Sequence, residues 1–446
     1  MSQDWGSEGK ARFAIANAFY RPASQTGRDL AVLAAAVYRQ QHGQLRVIDA
    51  MTGCGVRTLR YHLESGADSV WANEGNPELQ ALLSANLRQG LASGTYRITH
   101  QEANQLFFSC AQHQDYYDLI DIDSFGSPTP FVSTALWALK FGGLLYLTST
   151  DGRTTGGHAP DKSIQIYGAC ARSHPAVHEQ GLRLLIGCAA QKAAERGFHA
   201  QPVFSIFNGV IHRAMVRLLP RSVPTAYGFL AHCYGCGQFR TASWRQLGQL
   251  GCEACGKAPV VSGPMWLGPL HDIDYLTQLA ALAAQWSWPQ KIRQLLAVMA
   301  QEATMPPYYY PLAEIGRRGQ MDIPPRDRLI EALTHSRYRA TRTHLDTQAL
   351  KTDAPLATCT EIARSLHKSC LLAYAPVLVG KRKTSPRTAS SPTKRFSAGR
   401  SYTTNRLSLY PKQGNRAIPS AKSLPMFRGI SNRASRRSSS PCQIQS

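Results

Sequence analysis

The stretch from Val47 to Tyr61, VIDAMTGCGVRTLRY, decides the fold class of this chain. Its first residues are mostly apolar and end in Asp49, which predicts a buried strand that stops at a polar side chain. Gly53 and Gly55 predict a tight turn, and the residues after them predict a helix. This pattern is typical of the carboxyl edge of a parallel sheet, where small residues let a ligand approach the backbone. We therefore expect Asp49 and Gly53 to bind a nucleotide-like cofactor; an ordinary strand-to-helix turn is the alternative.

Similar patterns on both sides of this stretch predict an α/β fold. Short apolar runs predict strands at residues 46–50, 69–74, 117–122 and 143–148. Helical spacing predicts helices at residues 58–65, 77–89, 129–140 and 176–197. Residues 203–208 and 212–218 predict a closing antiparallel hairpin. A parallel sheet that ends in such a pair is the layout of class I, Rossmann-like methyltransferases, although the spacing alone does not establish that class; the predicted domain spans residues 1–222.

Two acidic residues at the ends of predicted strands are candidates for ligand contacts. Glu74 closes the strand about twenty positions after the glycines, where a carboxylate accepts hydrogen bonds from ribose hydroxyls. Asp123 follows the apolar strand in DLIDIDSFGSPTPF (Asp118–Phe131) and stands two residues before Phe125. A carboxylate beside an aromatic ring accepts hydrogen bonds from an exocyclic amine while the ring supports the base. A solvated carboxylate at 74 and a helix-capping aspartate at 123 are the structural alternatives.

Four of the eleven cysteines have metal-ligand spacing: Cys233, Cys236, Cys252 and Cys255. Each Cys-x2-Cys pair predicts a turn that presents two thiolates, and four thiolates around Zn²⁺ leave no open coordination position. We therefore expect a structural zinc site in a module at about residues 228–260. A disulfide pair or free core cysteines are the alternatives, but sparse cysteines in a long chain favour a reducing compartment.

The formal net charge of +22 indicates a polyanionic partner, nucleic acid before membrane. Residues 376–446 contain fifteen Lys and Arg and no acidic residue, and their Ser- and Pro-rich composition predicts a disordered basic tail. Between the zinc module and this tail, SRYRATRTHLDTQALKTDAP (Ser336–Pro355) interleaves basic and aromatic side chains, which favours RNA contact; a solvated basic face is the alternative. The candidate RNA-binding residues are Arg337, Arg339, Arg342, His344 and Lys351.

No apolar run approaches the ~20 residues that a membrane span needs, and the first residues lack a signal pattern. We therefore expect a cytoplasmic protein without membrane contact.

Several segments together resemble the tRNA (guanine(26)-N2)-dimethyltransferase family. They are AFYRPASQTGRDL (Ala18–Leu30), the glycine turn, DIDSFGSPTPF (Asp121–Phe131), GPMWLGPLHD (Gly263–Asp272) and the basic stretch at 336–355. The resemblance covers about residues 9–355 and implies a small zinc-containing α+β C-terminal domain, at residues 223–375, that binds tRNA.

The resemblance also implies an activity and its residues. S-adenosylmethionine would be the cofactor, and the exocyclic N2 amine of guanine, at position 26 of tRNA, would be methylated once and then twice. The implied cofactor contacts come from Arg28, Arg57, Glu74, Glu102 and Ala103. The implied catalytic group consists of Asp123, Phe125 and Phe19.

One residue departs from the family pattern. The family usually has proline between the aspartate and the phenylalanine, whereas this chain has Ser124. Proline fixes the backbone angle that aims the neighbouring carbonyl at the target amine, so we expect an activity that is reduced or shifted in substrate. Two other functions stay open from the sequence: a class I methyltransferase acting on another nucleic-acid exocyclic amine, and a non-catalytic zinc-containing RNA-binding protein.

Overall fold

A seven-stranded sheet lies at the centre of the computed structural model, which describes residues 4–220 and 226–373. The strands are β1 (Trp5–Glu8), β2 (Ala11–Ala14), β3 (Arg46–Asp49), β4 (Ser69–Asn73), β5 (Tyr96–Thr99), β6 (Tyr117–Ile122), β7 (Leu139–Ser149), β8 (His199–Asn208), β9 (Ile211–Leu219), β10 (Tyr227–His232), β11 (Phe239–Ala242), β12 (Val260–Trp266), β13 (Tyr310–Pro311), β14 (Ala340–Arg342) and β15 (Ala349–Thr352).

Thirteen α-helices accompany these strands within the described residues. They are α1 (Gln25–His42), α2 (Val56–Leu63), α3 (Gln80–Gly90), α4 (Ala103–Gln112), α5 (Thr129–Ala138), α6 (Gly152–Thr155), α7 (Pro160–Tyr167), α8 (Val177–Ala194), α9 (Ile273–Gln285), α10 (Gln290–Glu302), α11 (Leu312–Gly319), α12 (Arg326–His335) and α13 (Leu356–Ala373). Among the helices of residues 4–220 and 226–373, none combines the length and the apolar character that crossing a membrane requires.

The central sheet has the strand order β5-β4-β3-β6-β7-β9-β8. Strands β3 to β7 pair in parallel, and β9 pairs antiparallel with both β7 and β8. The predicted Rossmann-like sheet with its closing antiparallel pair is therefore confirmed. Because the chain builds outward from β3 through β4 to β5 and then returns to β6, the strand order reverses between β3 and β6. A ligand crevice is expected at the carboxyl ends of these two strands.

The local sequence explains most of these elements. All six residues of β6 are buried, as expected for a central parallel strand covered on both faces. Helix α1 ends at His42, and the next residue, Gly43, has a φ of 78°, the left-handed conformation that glycine adopts readily at a helix end. Sequence reasoning missed β5, because this edge strand is half-exposed and has a weak apolar pattern.

Both halves of the chain contribute to the same apolar cores. On one face of the sheet, α9 and α10 share a core with α1, and the Tyr275 hydroxyl donates a hydrogen bond to the Ala34 carbonyl at 2.9 Å. On the other face, α8 packs against β8 and β12.

The described residues form one compact unit. The predicted domain boundary at 222 and the predicted tail at 376–446 lie outside the described residues and stay predictions.

A buried charge cluster joins the N-terminal hairpin to α1 and α2. Arg60 on α2 has guanidinium nitrogens 2.7 Å from three carboxylates, those of Glu8, Asp29 and Glu64. Glu8 also accepts a hydrogen bond from Arg28 at 2.6 Å. The Arg60 side chain is only 1% exposed. Removing one partner of such a cluster therefore leaves the others buried without compensation.

Replacing Arg60 by alanine is expected to lower the free energy of unfolding by about 3–5 kcal/mol, because the three carboxylates lose their shared partner. Denaturant titration of the full chain measures this loss. Arg39→Ala is the control, since Arg39 pairs with Asp68 at the surface and its loss should cost at most about 1 kcal/mol. Equal losses in the two variants would contradict the importance of the cluster.

Candidate active site

The turn between β3 and α2 forms the base of the candidate site. Gly53 and Gly55 have φ values of 57° and 86°, a region that favours glycine. Asp49 accepts hydrogen bonds from the hydroxyls of Thr52 at 2.6 Å and Thr58 at 2.8 Å. Burial raises the pKa of Asp49 to about 7. Asp49 is wholly buried and shapes the turn, whereas the sequence predicted that it contacts the cofactor.

Glu74 lies directly against this turn. The backbone N–H of Gly53 donates a hydrogen bond to Glu74 Oε2 at 2.8 Å. The backbone N–H of Asn76 donates to the other carboxylate oxygen at 2.9 Å. The structure thus brings the glycine turn and the acidic strand end together, as the sequence predicted.

Two arginines hold Asp123 just beyond the end of β6. Arg57 donates to Asp123 Oδ2 through Nη2 at 2.6 Å and Nε at 3.2 Å, and its Nη1 donates to Asp121 at 2.7 Å. Arg213 on β9 lies 3.4 Å from Asp123 Oδ1. Burial by itself raises the pKa of Asp123, but the two guanidinium groups prevail and lower it well below its ordinary value. Asp123 is therefore an ionised carboxylate.

Two exposed aromatic rings lie beside this carboxylate. Phe19 is 68% exposed and Phe125 is 75% exposed. Their ring centroids are 5.1 Å apart and their planes cross at 72°, an edge-to-face arrangement. Gly126 and Thr150 fix the loop after Phe125 through two hydrogen bonds of 2.8 Å. Exposed rings held in this way can receive a planar ligand.

One cavity of about 490 Å³ joins these groups, a size typical of small-molecule sites. Its lining includes Phe19, Tyr20, Arg28, Gly53, Arg57, Glu74, Asp123, Ser124, Phe125, Thr148, Thr150 and Arg213. Glu74 and Asp123 therefore face the same space rather than opposite edges of the sheet.

The remaining predicted cofactor residues differ in their positions. Arg28 lines the cavity, with its guanidinium paired to Glu8. Glu102 accepts a hydrogen bond from the backbone N–H of Asn104 at the start of α4, and Ala103 is the first residue of that helix. Neither Glu102 nor Ala103 is among the residues that line the cavity, although both follow the carboxyl end of β5.

Sequence reasoning missed Arg213 and Thr148 of β7. The register of β7 and β9 places Arg213 opposite Thr148, and Arg213 Nε donates to the Thr148 hydroxyl at 3.1 Å. A signal was present in the sequence, because an arginine inside the apolar strand IHRAMVRL needs a buried counterion. That signal does not say which acidic residue supplies the counterion.

The four predicted metal ligands also come together. Cys233 Sγ lies 3.4 Å from Cys255 Sγ, Cys236 Sγ lies 3.3 Å from Cys252 Sγ, and all four sulfurs are within 4.8 Å of one another. In each turn a glycine N–H donates to the carbonyl of the first cysteine at 2.7 Å. A tetrahedral Zn²⁺ with Zn–S bonds of about 2.3 Å holds its sulfurs about 3.8 Å apart. The cluster is therefore compatible with a structural zinc ion.

Three of the predicted RNA-binding residues are exposed, as contact with RNA requires: Arg337, Arg339 and Arg342. Arg339 pairs with Asp353 and Arg342 pairs with Asp327 at the surface. Such surface pairs are weak and exchange readily for other anions.

Lys351 and His344, in contrast, lie inside the protein. Lys351 Nζ is 2.6 Å from Glu179 Oε1, and the residue is 1% exposed. His344 Nδ1 contacts Glu302, and neither side chain is exposed. We therefore correct the prediction that these two residues contact RNA, because buried side chains paired with carboxylates cannot reach a phosphate.

Glu302 also faces His271, and these two residues form with His344 a candidate group of metal ligands. The backbone N–H of Ser205 donates to His271 Nδ1 at 3.3 Å, which leaves the proton of a neutral imidazole on Nε2, 3.4 Å from Glu302. A protonated Nε2 has no lone pair for a metal. The cluster is therefore better explained as buried hydrogen bonding.

The mixed sheet, the glycine turn after β3 and the cavity at the carboxyl edge define a Rossmann-like methyltransferase. A family model described as N2,N2-dimethylguanosine tRNA methyltransferase matches residues 7–364. The chain belongs to this family.

Individual relatives agree with the family match. The tRNA (guanine(26)-N(2))-dimethyltransferase of Thermococcus kodakarensis is 28% identical over 391 residues, which cover 80% of this chain and 98% of the relative. The human enzyme of the same name is 27% identical, and the matched part covers 73% of this chain but only 54% of the human protein. A solved structure of Trm1 from Pyrococcus horikoshii with S-adenosyl-L-methionine is 28% identical, with a TM-score of 0.70, and covers 80% of this chain and 99% of that chain.

Replacing Cys252 by serine is expected to remove bound zinc, because a neutral hydroxyl replaces one of four thiolates. Elemental analysis of the purified full chain should find about one zinc ion in the natural protein and much less than one in the variant. Cys110→Ala is the control, since Cys110 is buried outside the cluster and its loss should leave the zinc content unchanged. A full zinc content in the serine variant would contradict a four-cysteine site.

Proposed function

We propose that this protein transfers methyl groups from S-adenosylmethionine to the exocyclic N2 amine of guanine at position 26 of tRNA, once and then twice. The family match and the names of the relatives support this activity. The observation that carries the proposal is the single cavity that joins Glu74 to the ionised Asp123. A cofactor held at Glu74 and an amine held at Asp123 would then meet in one space.

The Glu74 end of the cavity suits the cofactor. The Gly53 N–H orients the Glu74 carboxylate, whose remaining lone pairs can accept hydrogen bonds from ribose hydroxyls. Arg28 lines the same cavity and offers a charge-assisted contact for the methionine carboxylate. Glu102 and Ala103 follow β5 at the same edge of the sheet, and we assign them to the adenine. S-adenosylmethionine supplies an electrophilic methyl carbon on a sulfonium ion.

Asp123 prepares the amine for attack. The lone pair of an aryl amine is delocalised into the ring, so a hydrogen bond from the amine to a carboxylate makes the nitrogen a better nucleophile. Arg57 occupies Oδ2 through two hydrogen bonds, whereas Arg213 makes a longer contact of 3.4 Å with Oδ1, and the Thr148 hydroxyl also interacts with the carboxylate. We assign Oδ1, the oxygen with the weaker arginine contact, to the substrate. As the N–C bond forms, the nitrogen becomes strongly acidic, and Asp123 can accept its proton despite a lowered pKa.

Phe19 and Phe125 give the target base a place outside its stack. A guanine inside folded tRNA cannot reach the cavity until it is extruded, and aromatic contact offsets part of the lost stacking energy. The two rings are exposed in the free protein. Phe125 stands two residues after Asp123, and both rings line the same cavity as Asp123. Aligning nucleophile, methyl carbon and leaving sulfur is the main contribution of such a site to the rate.

The exposed arginines at 337, 339 and 342 are proposed to contact the tRNA backbone, where phosphates replace their surface carboxylate partners. A cytoplasmic location is part of the proposal, because no cysteine of the described residues is in a disulfide and cytosolic conditions keep thiols reduced.

Mass analysis of nucleosides from unmodified tRNA incubated with the protein and S-adenosylmethionine tests reaction, atom and substrate together. We expect N2-methylated guanosine from the natural protein. Asp123→Asn is expected to reduce its formation at least about 100-fold, since the carboxylate no longer accepts a proton. Affinity for S-adenosylmethionine, measured by calorimetry, should change little.

Asp115→Asn is the matched control, because Asp115 pairs with Arg46 at the surface and should tolerate the same change. Methylated adenosine in place of methylated guanosine would favour the alternative of a class I methyltransferase that acts on another nucleic-acid exocyclic amine. Absence of both cofactor binding and product would favour a non-catalytic RNA-binding protein.

The lowered pKa of Asp123 also predicts a pH response. A lowered pKa in the folded state favours the ionised form of Asp123. That form is fully present above the ordinary pKa of about 3.9, and it is lost only when the pH falls through the lowered value. Single-turnover rates should therefore show no acid limb from Asp123 between about pH 5 and 8. Arg213→Gln removes one stabilising charge and should move the acid limb to higher pH, whereas Arg213→Lys should retain the natural profile. The assignment would be contradicted if the rate of the natural protein fell on the acid side at a higher pH than the rate of the Arg213→Gln variant.

A further inference from the structure

Ser124 carries an unpaired hydroxyl at the centre of the candidate site. It stands between Asp123 and Phe125, and all three residues line the cavity. Ser124 is only 7% exposed, and its Oγ has no hydrogen-bond partner among the described residues. A buried hydroxyl without a partner is costly, so the structure gains free energy when a ligand supplies one. Rotation about one side-chain bond can turn this buried hydroxyl toward the cavity that the residue lines.

The target amine can supply that partner before the first methyl transfer. Guanine N2 carries two hydrogens, and two acceptors are needed to hold both while the lone pair faces the methyl carbon. Asp123 Oδ1, which has a long contact of 3.4 Å with Arg213, is one acceptor, and Ser124 Oγ, which lacks a partner among the described residues, is the other. In each transfer an N–C bond forms, the bond from carbon to the sulfonium sulfur breaks to leave a neutral thioether, and one proton passes from N2 to the Asp123 carboxylate.

After the first transfer the amine has one hydrogen left. The ionised Asp123 is the stronger acceptor and takes it. Ser124 Oγ then faces a methyl group and stays unpaired. The first transfer therefore gains a hydrogen bond that the second cannot form.

We propose that Ser124 determines product specificity by favouring methylation of the primary amine over methylation of the monomethylated amine. This inference rests on the proposed function and adds to it which of the two products the site prefers. It gives a physical role to the residue at which this chain departs from the usual family pattern.

Single-turnover rates with unmodified tRNA and with tRNA already carrying one N2-methyl group test the proposal. Ser124→Ala removes the hydroxyl and little volume. It is expected to raise the ratio of the second rate to the first about fivefold, the equivalent of one ordinary hydrogen bond of about 1 kcal/mol. Affinity for S-adenosylmethionine should stay unchanged. Ser163→Ala is the matched control, because Ser163 on α7 is also buried with an unpaired Oγ but does not line the cavity.

A ratio in Ser124→Ala that stays within twofold of the natural protein would overturn the inference and leave the proposed function intact. An equal rise in Ser163→Ala would also overturn it, since the effect would then come from general loosening of the fold. Failure of the natural protein to methylate guanine N2 at all would instead refute the proposed function, and the inference with it.

Discussion

Arg57 places a guanidinium between Asp121 and Asp123, two carboxylates that end β6 and would otherwise repel each other. All three nitrogens of the guanidinium are engaged, and the side chain is only 4% exposed. Tyr61, one turn further along α2, donates to Asp121 at 2.6 Å. Because α2 begins directly after the glycine turn, these bonds hold the turn in place relative to the end of β6. The ion pair therefore fixes the distance between the Glu74 and Asp123 ends of the cavity. Arg57 and Asp121 are buried and Asp123 is 27% exposed, so the loss of the arginine leaves a buried carboxylate uncompensated.

The carboxyl edge of the sheet gathers residues that are far apart in sequence. The strand order reverses between β3 and β6, so loops from both sides of the reversal face one crevice. The N-terminal segment adds Phe19 and Arg28, and the closing antiparallel pair adds Arg213. Each contribution is positioned by regular structure, which keeps the polar groups in place before a ligand arrives. A site preorganised in this way spends less binding energy on ordering its own side chains.

The C-terminal half supports the same core rather than standing apart from it. Lys351, on β15, pairs with Glu179 at the start of α8, and this pair joins the two halves through buried charges. Glu302, His271 and His344 form a second buried link. The stretch at residues 336–355 is basic, and its composition favours RNA binding. These contacts explain why two of its residues, His344 and Lys351, are buried in the interior instead. The exposed arginines of the same stretch remain the part that is available to RNA.

The sequence alone determined the α/β class, most of the strands and helices, the glycine turn beside Glu74, the grouping of the four cysteines and the candidacy of Asp123. These features depend on local spacing and periodicity, which a sequence displays directly. The tertiary structure alone decided that Arg213 lies against Asp123, that Asp49 supports the turn, and that Lys351 and His344 are buried. It also decided that the Ser124 hydroxyl has no partner within residues 4–220 and 226–373. Those outcomes depend on which charges and surfaces meet across the fold. Local spacing does not contain that information, because burial and pairing are set by the packing of distant segments.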